Sequence, residues 1–478
     1  MTSATIDTIY GSAITFKMET KMAKHPNLVF VFPDEYRKQA MGFMNEDPVI
    51  TPNIDRFASE SLVLTDAVST RPVCSPYRAM LFTGQYPHAN GVLGNVNSTT
   101  VQYENYLREN ARCFSDVLHG AGYNQAYLGK LHLDPPNEQY QYTEGPRGNG
   151  VIWDSYTPPG PRRHGYDFWY SYGCCDWHFN PHYWTGNDPI EKRIDPREWS
   201  PKHETDIAIN YIRNKGGKYR DPEKPFSLVM SHNPPHMPFK QVPEKYVAQY
   251  GDATHEDLLT RPNVPTDERG DSARENAKHY FAMVTGVDEN FGRILDCLKT
   301  EGLEEDTIVV FTSDHGEMMG SHGRIGKTVH YEESFTVPFI IRWPEKITPG
   351  TDNLLIGTPD LMPTLLNLMG AGQIPDSVQG TDYSDILLGR EGTRPTSALY
   401  LNVNPDNPAG GSRGVRTHRH TYVVTRTPEC EEIILHDNVA DPYQLQNIAG
   451  DHPGLVAELE KEMNNWLAKT GDPWLTQQ

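Results

Sequence analysis

Several short stretches of this chain carry side chains able to do ligating, nucleophilic or acid-base chemistry. Asp34 and Glu35 follow a continuous apolar run, residues 27–32, and Asp314 and His315 follow a second one, Thr307–Thr312. Lys130 and His132 are two apart, which on an extended chain points both to one face, so a cation and an imidazole can meet the same group. His236 sits within Asn233-Pro234-Pro235-His236-Met237-Pro238. With an ordinary pKa of about 6.5 such an imidazole can pass a proton near neutral pH. Cys74 stands just before Pro76 and Arg78. Each has a plain structural alternative: a strand-end Asp as a cap, a surface Lys-x-His with no role, a buried thiol before a proline turn, a loop-packing His236 or His232.

The elements that must position these residues are legible from periodicity. The two apolar runs read as buried parallel strands, and shorter runs at 226–230 and 339–341 read as further members of the same sheet. Apolar positions 277, 280, 281, 284, 287, 291, 294, 295 and 298 follow helical spacing. Alternating strands and helices imply an α/β fold, a mixed sheet flanked by helices, with ligands beyond the carboxyl ends of the strands, where both acidic loops become neighbours. The expected organisation is an N-terminal extension over 1–24, a catalytic domain over 25–370 and a smaller C-terminal α+β domain over 371–478. That last part is read as turn-rich through Gly414, with strands at 421–425 and 433–435. No internal repeat is present.

Composition narrows the partners. With 478 residues, Lys+Arg 43 and Asp+Glu 63, the formal net charge is -20, which repels nucleic acid unless basic residues cluster, and none do. An anionic substrate is still open to it, because a few cations in one cleft reverse the local potential. Mean hydropathy is -0.62, and no run approaches a bilayer span. The six cysteines are too irregular for a disulfide framework or a CxxC zinc site, although the adjacent Cys174 and Cys175 leave open a metal site or a strained bridge beside the plainer buried role. Residues 1–24 lack the charged start and apolar centre of an export signal, so cytoplasm is the default location. Met18 and Met22 leave the true start open, and a periplasmic or secreted protein is expected if the start is misassigned or a signal has been removed.

Taken together, Cys74-Ser75-Pro76-Tyr77-Arg78 with its continuation to Thr83-Gly84, Gly122-Tyr123 through Gly129-Lys130-Leu131-His132, Pro235-His236-Met237-Pro238, Ser313-Asp314-His315-Gly316, and Gly326-Lys327 resemble the formylglycine-dependent sulfatases of the alkaline phosphatase-like superfamily. Bacterial carbohydrate sulfatases are the nearest likeness. The resemblance runs from about Pro26 to Asn447. Glu35 departs from the usual second acidic residue, and Gln125 from a common threonine.

The resemblance implies that a maturation enzyme converts Cys74 to formylglycine. Its hydrated aldehyde offers one hydroxyl to attack sulfur and a second whose collapse expels sulfate, an exit that serine lacks. It further implies a metal set of Asp34, Glu35, Cys74, Asp314 and His315 around Ca²⁺, with Mg²⁺ as the other hard cation such oxygens suit. Arg78, Lys130, His132 and Lys327 would serve the hydrated aldehyde and the sulfate, and His236 would protonate the departing alcohol. A helix starting at Cys74 would add its positive end. For substrate contact the expectations are Trp177, His178 and His182 in the aromatic insertion 162–199, His322 in a turn, and Arg413, with Arg416, as a reader of a carboxylate or second sulfate. The expected substrate is a sulfated small molecule or oligosaccharide. The alternatives are a formylglycine-dependent phosphodiesterase or phosphonate monoester hydrolase, against which the Lys130 and His132 pair argues, and a catalytically silent sulfated-glycan-binding protein.

Overall fold

The computed structural model describes residues 25–136 and 150–477, so the expected N-terminal extension lies outside the described residues. The first strands are β1 (Asn27–Val31), β2 (Leu62–Leu64), β3 (Asn124–Lys130), β4 (Phe168–Tyr172) and β5 (Trp184–Thr185). They are followed by β6 (Phe226–Ser231), β7 (Thr307–Thr312), β8 (Phe339–Arg342) and β9 (Gly350–Asp352). These nine form one sheet in the order β5-β4-β3-β6-β1-β7-β8-β2-β9. Its centre, β3-β6-β1-β7, is parallel throughout, whereas β8 and β5 pair antiparallel with their neighbours.

The central strands are buried along their whole length, which is why they read as unbroken apolar runs rather than alternating ones. Helices cover both faces. The helix Asp271–Thr300 turns Ala277, Tyr280, Phe281, Val284, Val287, Phe291 and Ile294 toward one face of the sheet. Cys74–Thr83 and Leu361–Leu368 pack on the other. Four neighbouring parallel strands therefore deliver their carboxyl ends to one place, and the loops after β1, β3, β6 and β7 converge there.

A second, antiparallel sheet of β10 (Ala398–Asn404), β11 (Asn407–Arg416), β12 (His420–Arg426) and β13 (Glu431–Asp437) is backed by the helix Pro453–Thr470. The strands expected at 421–425 and 433–435 lie within β12 and β13. The stretch read as turn-rich is corrected: it holds β10 and β11. Gly410, Gly411 and Gly414 hid the strand pattern. Gly411 has φ +85° and a Cβ there would lie 2.2 Å from Asn402 O, beside a register shift between Asn402 and Asn404. Cys174 and Cys175 are buried. Among the described residues, no helix is long and apolar enough to cross a membrane.

Candidate active site

Cys74 is the first residue of the helix Cys74–Thr83, whose N-cap, Val73, offers no side-chain cap. Ser75 N donates to Asn95 Oδ1 at 3.1 Å, and the positive end of the helix otherwise faces whatever binds at Cys74. The thiol is buried, 3.5 Å from Asp34 Oδ1, 3.3 Å from His315 Nε2 and 4.0 Å from Lys130 Nζ. One turn along, Arg78 is fully buried. Its Nη2 donates to both Asp34 Oδ2 and Asp314 Oδ2 at 3.0 Å, and its Nη1 to Lys130 O and Ser231 Oγ. One guanidinium therefore ties together the ends of β1, β3, β6 and β7.

Ligand atoms of Asp34, Cys74, Asp314 and His315 all lie within 4.8 Å of one another. His315 Nδ1 faces Gly316 O at 3.0 Å, so Nδ1 carries the hydrogen and the Nε2 lone pair faces Cys74, Asp34 and Asp314. Gly316 has no room for a side chain, since a Cβ would be 1.8 Å from Glu333 O. Burial would raise the Asp34 carboxyl, but Lys130, with His236, His315 and Arg78, holds it well below the usual carboxylate range. Asp314 is raised by burial and by Asp34. Three oxygen or nitrogen ligands and a sulfur position at one buried point fit a hard divalent cation, which would favour the ionised form of both aspartates.

Glu35 does not fall in that set of four. Its backbone adopts φ 67°, a left-handed conformation unusual for a buried glutamate. Its Oε2 is 3.1 Å from Lys327 Nζ and 3.3 Å from His236 Nε2. Neither carboxylate oxygen takes part in a hydrogen bond. Burial and the neighbouring Glu317, only partly offset by Lys327, push the carboxyl well above its ordinary value. A buried carboxylate beside Asp34, held by its ion pairs with Lys327 and His236, is a second feature that fits a cation.

Lys130 ends β3, its Nζ 2.8 Å from Asp34 Oδ2 and 3.1 Å from Asn233 Oδ1. His132 has φ 56°, so the expected extended spacing gives way to a turn that still leads both side chains inward. His132 Nε2 is 2.9 Å from Val96 O, which leaves Nδ1 without a partner. Burial opposes charge on His132, but Cys174 and Cys74 outweigh it and raise the imidazole to about 9. His236 Nδ1 is 2.8 Å from Met237 O. Burial, then Lys327 and Lys130, depress His236 well below its ordinary value.

The expected substrate contacts divide. His178 is buried and its Nε2 is 2.8 Å from His236 O; burial takes it down to about 4, so it props the His236 loop as a neutral donor. Trp177 is half-buried against the core. His182 is corrected to a structural position: it is fully buried, 2.6 Å from Asp154 Oδ2, and that carboxylate also accepts from Gly173 N and Cys174 N. His322 stacks on Tyr331 with ring centroids 3.7 Å apart. Arg413 is corrected too: fully buried, it pairs with Asp472 at 2.7 Å and lies over Trp474 in the second sheet's core. Arg416 is held by Glu332 and Asp66.

Sequence reasoning missed Ser231 and Asn233. Asn233 accepts from Lys130 and donates to Cys175 O at 2.7 Å and Asp176 Oδ1 at 3.2 Å. Its place just before Pro234-Pro235-His236 was the available signal. His232, read as a packing histidine, pairs with Glu204 at 2.5 Å.

The family model described as Sulfatase matches residues 26–371, and that of the N-sulphoglucosamine sulphohydrolase C-terminal region matches residues 320–471. An "Endo-4-O-sulfatase" of Bacteroides thetaiotaomicron is 43% identical over 96% of this chain and 95% of its own length. An "Ulvan-active sulfatase" of Formosa agariphila is 36% identical over 94% of this chain and 82% of its own. A solved structure from work on the metabolism of multiple glycosaminoglycans by Bacteroides thetaiotaomicron has TM-score 0.86 and 41% identity, covering 95% of this chain and 98% of that one.

Proposed function

The chain belongs to the sulfatase family, and from that premise we propose that it hydrolyses a sulfate ester on a sulfated oligosaccharide, using a formylglycine made from Cys74 by a maturation enzyme and a bound Ca²⁺. The observation that carries this reading is the convergence of Asp34, Asp314, His315, Arg78 and Lys130 on Cys74 at the start of a helix. The glycan reading leans on the relatives' named activities on carbohydrate sulfates.

Formylglycine and the cation, when present, supply a nucleophilic hydroxyl and a Lewis acid. The remaining work falls to this chain's own residues. Asp34, Asp314 and His315 would hold the cation, and Arg78 locks both aspartates in place. Lys130 and Lys327 offset charge that develops on the sulfuryl oxygens. His132, with Nε2 engaged by Val96 O, keeps Nδ1 for a proton on the nucleophile's side. His236 gives a proton to the departing alcohol. Its depressed value in the free site means that it must gain charge as an anionic ester arrives, the direction in which a nearby anion acts. Glu35 sits between Lys327 and His236 and couples those two groups.

The test is sulfate release from a panel of aryl sulfates and sulfated oligosaccharides, with Ca²⁺, with Mg²⁺ and after chelation. Release from oligosaccharides that stops on chelation and returns with Ca²⁺ is the expected result. Release of phosphate from diesters without any sulfate would move the chain to the phosphodiesterase reading.

A further inference from the structure

The ring that hands a proton to the departing alcohol must keep its angle while it does so, and the two edges of His236 are held in different ways. Glu35 Oε2 lies 3.3 Å from Nε2. That is the atom which must turn to the leaving oxygen, so this contact gives way in the reaction. Nδ1 lies 2.8 Å from Met237 O, a carbonyl of the next residue, which moves with the histidine and fixes the ring only against its own backbone. The Nδ1 edge also faces Asp176 Oδ1 at 3.5 Å. Asp176 comes from the aromatic insertion, so its contact references the ring to a separate part of the fold.

Asp176 is itself anchored. The same Oδ1 accepts from Asn233 Nδ2 at 3.2 Å, and that amide also donates to Cys175 O at 2.7 Å. Gln241 Nε2 donates to Asp176 O, while Gln241 Oε1 accepts from His178 N at 2.7 Å. Two residues on from Asp176, His178 Nε2 meets His236 O at 2.8 Å. One short segment thus grips His236 twice, at the main chain through His178 and at the ring through Asp176.

The shared oxygen has a further consequence. Asn233 Oδ1 accepts from Lys130 Nζ, which pairs with Asp34. Asp176 Oδ1 therefore joins the cation on the sulfate side to the imidazole on the leaving-group side through one amide. Such a link fixes the separation between the group that holds the sulfuryl oxygens and the group that protonates the alcohol, and small errors in that separation are costly.

We propose that Asp176 is the positioning residue of the acid, holding the Nδ1 edge of His236 in register with the Lys130–Asn233 pair so that Nε2 points at the leaving oxygen. This rests on the acid role given to His236 above.

The test measures kcat and KM of the matured, Ca²⁺-loaded enzyme on ring-substituted phenyl sulfates graded in leaving-group acidity, from 4-nitrophenyl to unsubstituted phenyl sulfate. The variants are Asp176→Ala, Asp176→Asn, His236→Ala and the double variant Asp176→Ala with His236→Ala. Asp176→Ala is expected to lower kcat about ten- to a hundredfold on phenyl sulfate and less than about threefold on 4-nitrophenyl sulfate, with KM little changed. Asp176→Asn, which keeps the oxygen but not its charge, should fall between Asp176→Ala and the parent, and it carries the same comparison should the alanine variant not fold. In the His236→Ala background Asp176→Ala should cost nothing further, because its effect runs through that ring. Losses equal across the series, additive losses in the double variant, or no loss on any ester would overturn the proposal. A His236→Ala variant whose own losses do not depend on the leaving group would instead bring down the acid role of His236, and this proposal with it.

Discussion

His236 faces a carboxylate on one side of its ring and a backbone carbonyl on the other, and this fixes what its loss should do. With Nδ1 held by Met237 O, only Nε2 is presented to the site. His236→Ala should therefore slow alkyl sulfates, whose alcohols leave poorly, far more than aryl sulfates; equal loss for both would remove the acid role. Glu35 separates from Asp314 by the same logic. Asp314→Asn should weaken Ca²⁺ binding at least about tenfold, whereas Glu35→Gln should lower kcat with a smaller change in cation affinity. Calorimetric titration of the two variants decides this, and an equal loss of affinity in both would return Glu35 to the cation's direct ligands. At this scale the sequence was most informative where chemistry constrains identity: Cys74, Arg78, Lys130 and Asp314 lie together as their motifs implied. It was least informative for His182 and Arg413, whose partners, Asp154 and Asp472, are 28 and 59 residues away and have no local signature.

The elements explain why those residues meet. Parallel strands β3, β6, β1 and β7 are neighbours, so each loop at their carboxyl ends supplies one part of the site. Their continuous apolar runs made them legible, as 3.6-residue spacing did for Asp271–Thr300. The glycine-bearing β11 was not legible, because glycine leaves no side chain to mark a face. A different glycine makes an element-scale test. Gly129 has φ +90° and a Cβ there would be 2.1 Å from Ser231 O, its partner across β3 and β6. Gly129→Ala should cost more than about 3 kcal/mol by forcing both backbone strain and separation of the strands beside Lys130. Urea unfolding checks this, and a midpoint equal to that of the parent would show that β3 can shift without harm.

In the whole molecule, the two sheets are joined by buried charges as well as by apolar packing. Arg416 reaches from β11 to Asp66 and Glu332, and Arg413 closes on Asp472 beyond the helix Pro453–Thr470. Burial alone would raise the Asp472 carboxyl, but hydrogen bonds from His88 and Arg413 bring it down to about 2. Because the folded value lies below the unfolded one, this pair stabilises fully above about pH 4 and its contribution is lost as pH falls from there toward 2. Arg413→Met should cost about 3–5 kcal/mol near neutral pH, with a smaller deficit in acid, and leave kcat/KM of the folded enzyme unchanged. A loss of turnover on anionic sugars at full stability would instead make Arg413 a substrate reader. All of these expectations presuppose that Cys74 is the centre of the chemistry. The most direct measurement is sulfate release plotted against the fraction of Cys74 converted to formylglycine, read from the mass of its peptide. We expect activity to rise in proportion to conversion, from zero in unconverted protein and in Cys74→Ser. Full activity in protein whose Cys74 remains a thiol, or no sulfate release from fully converted, Ca²⁺-loaded protein, would contradict the account.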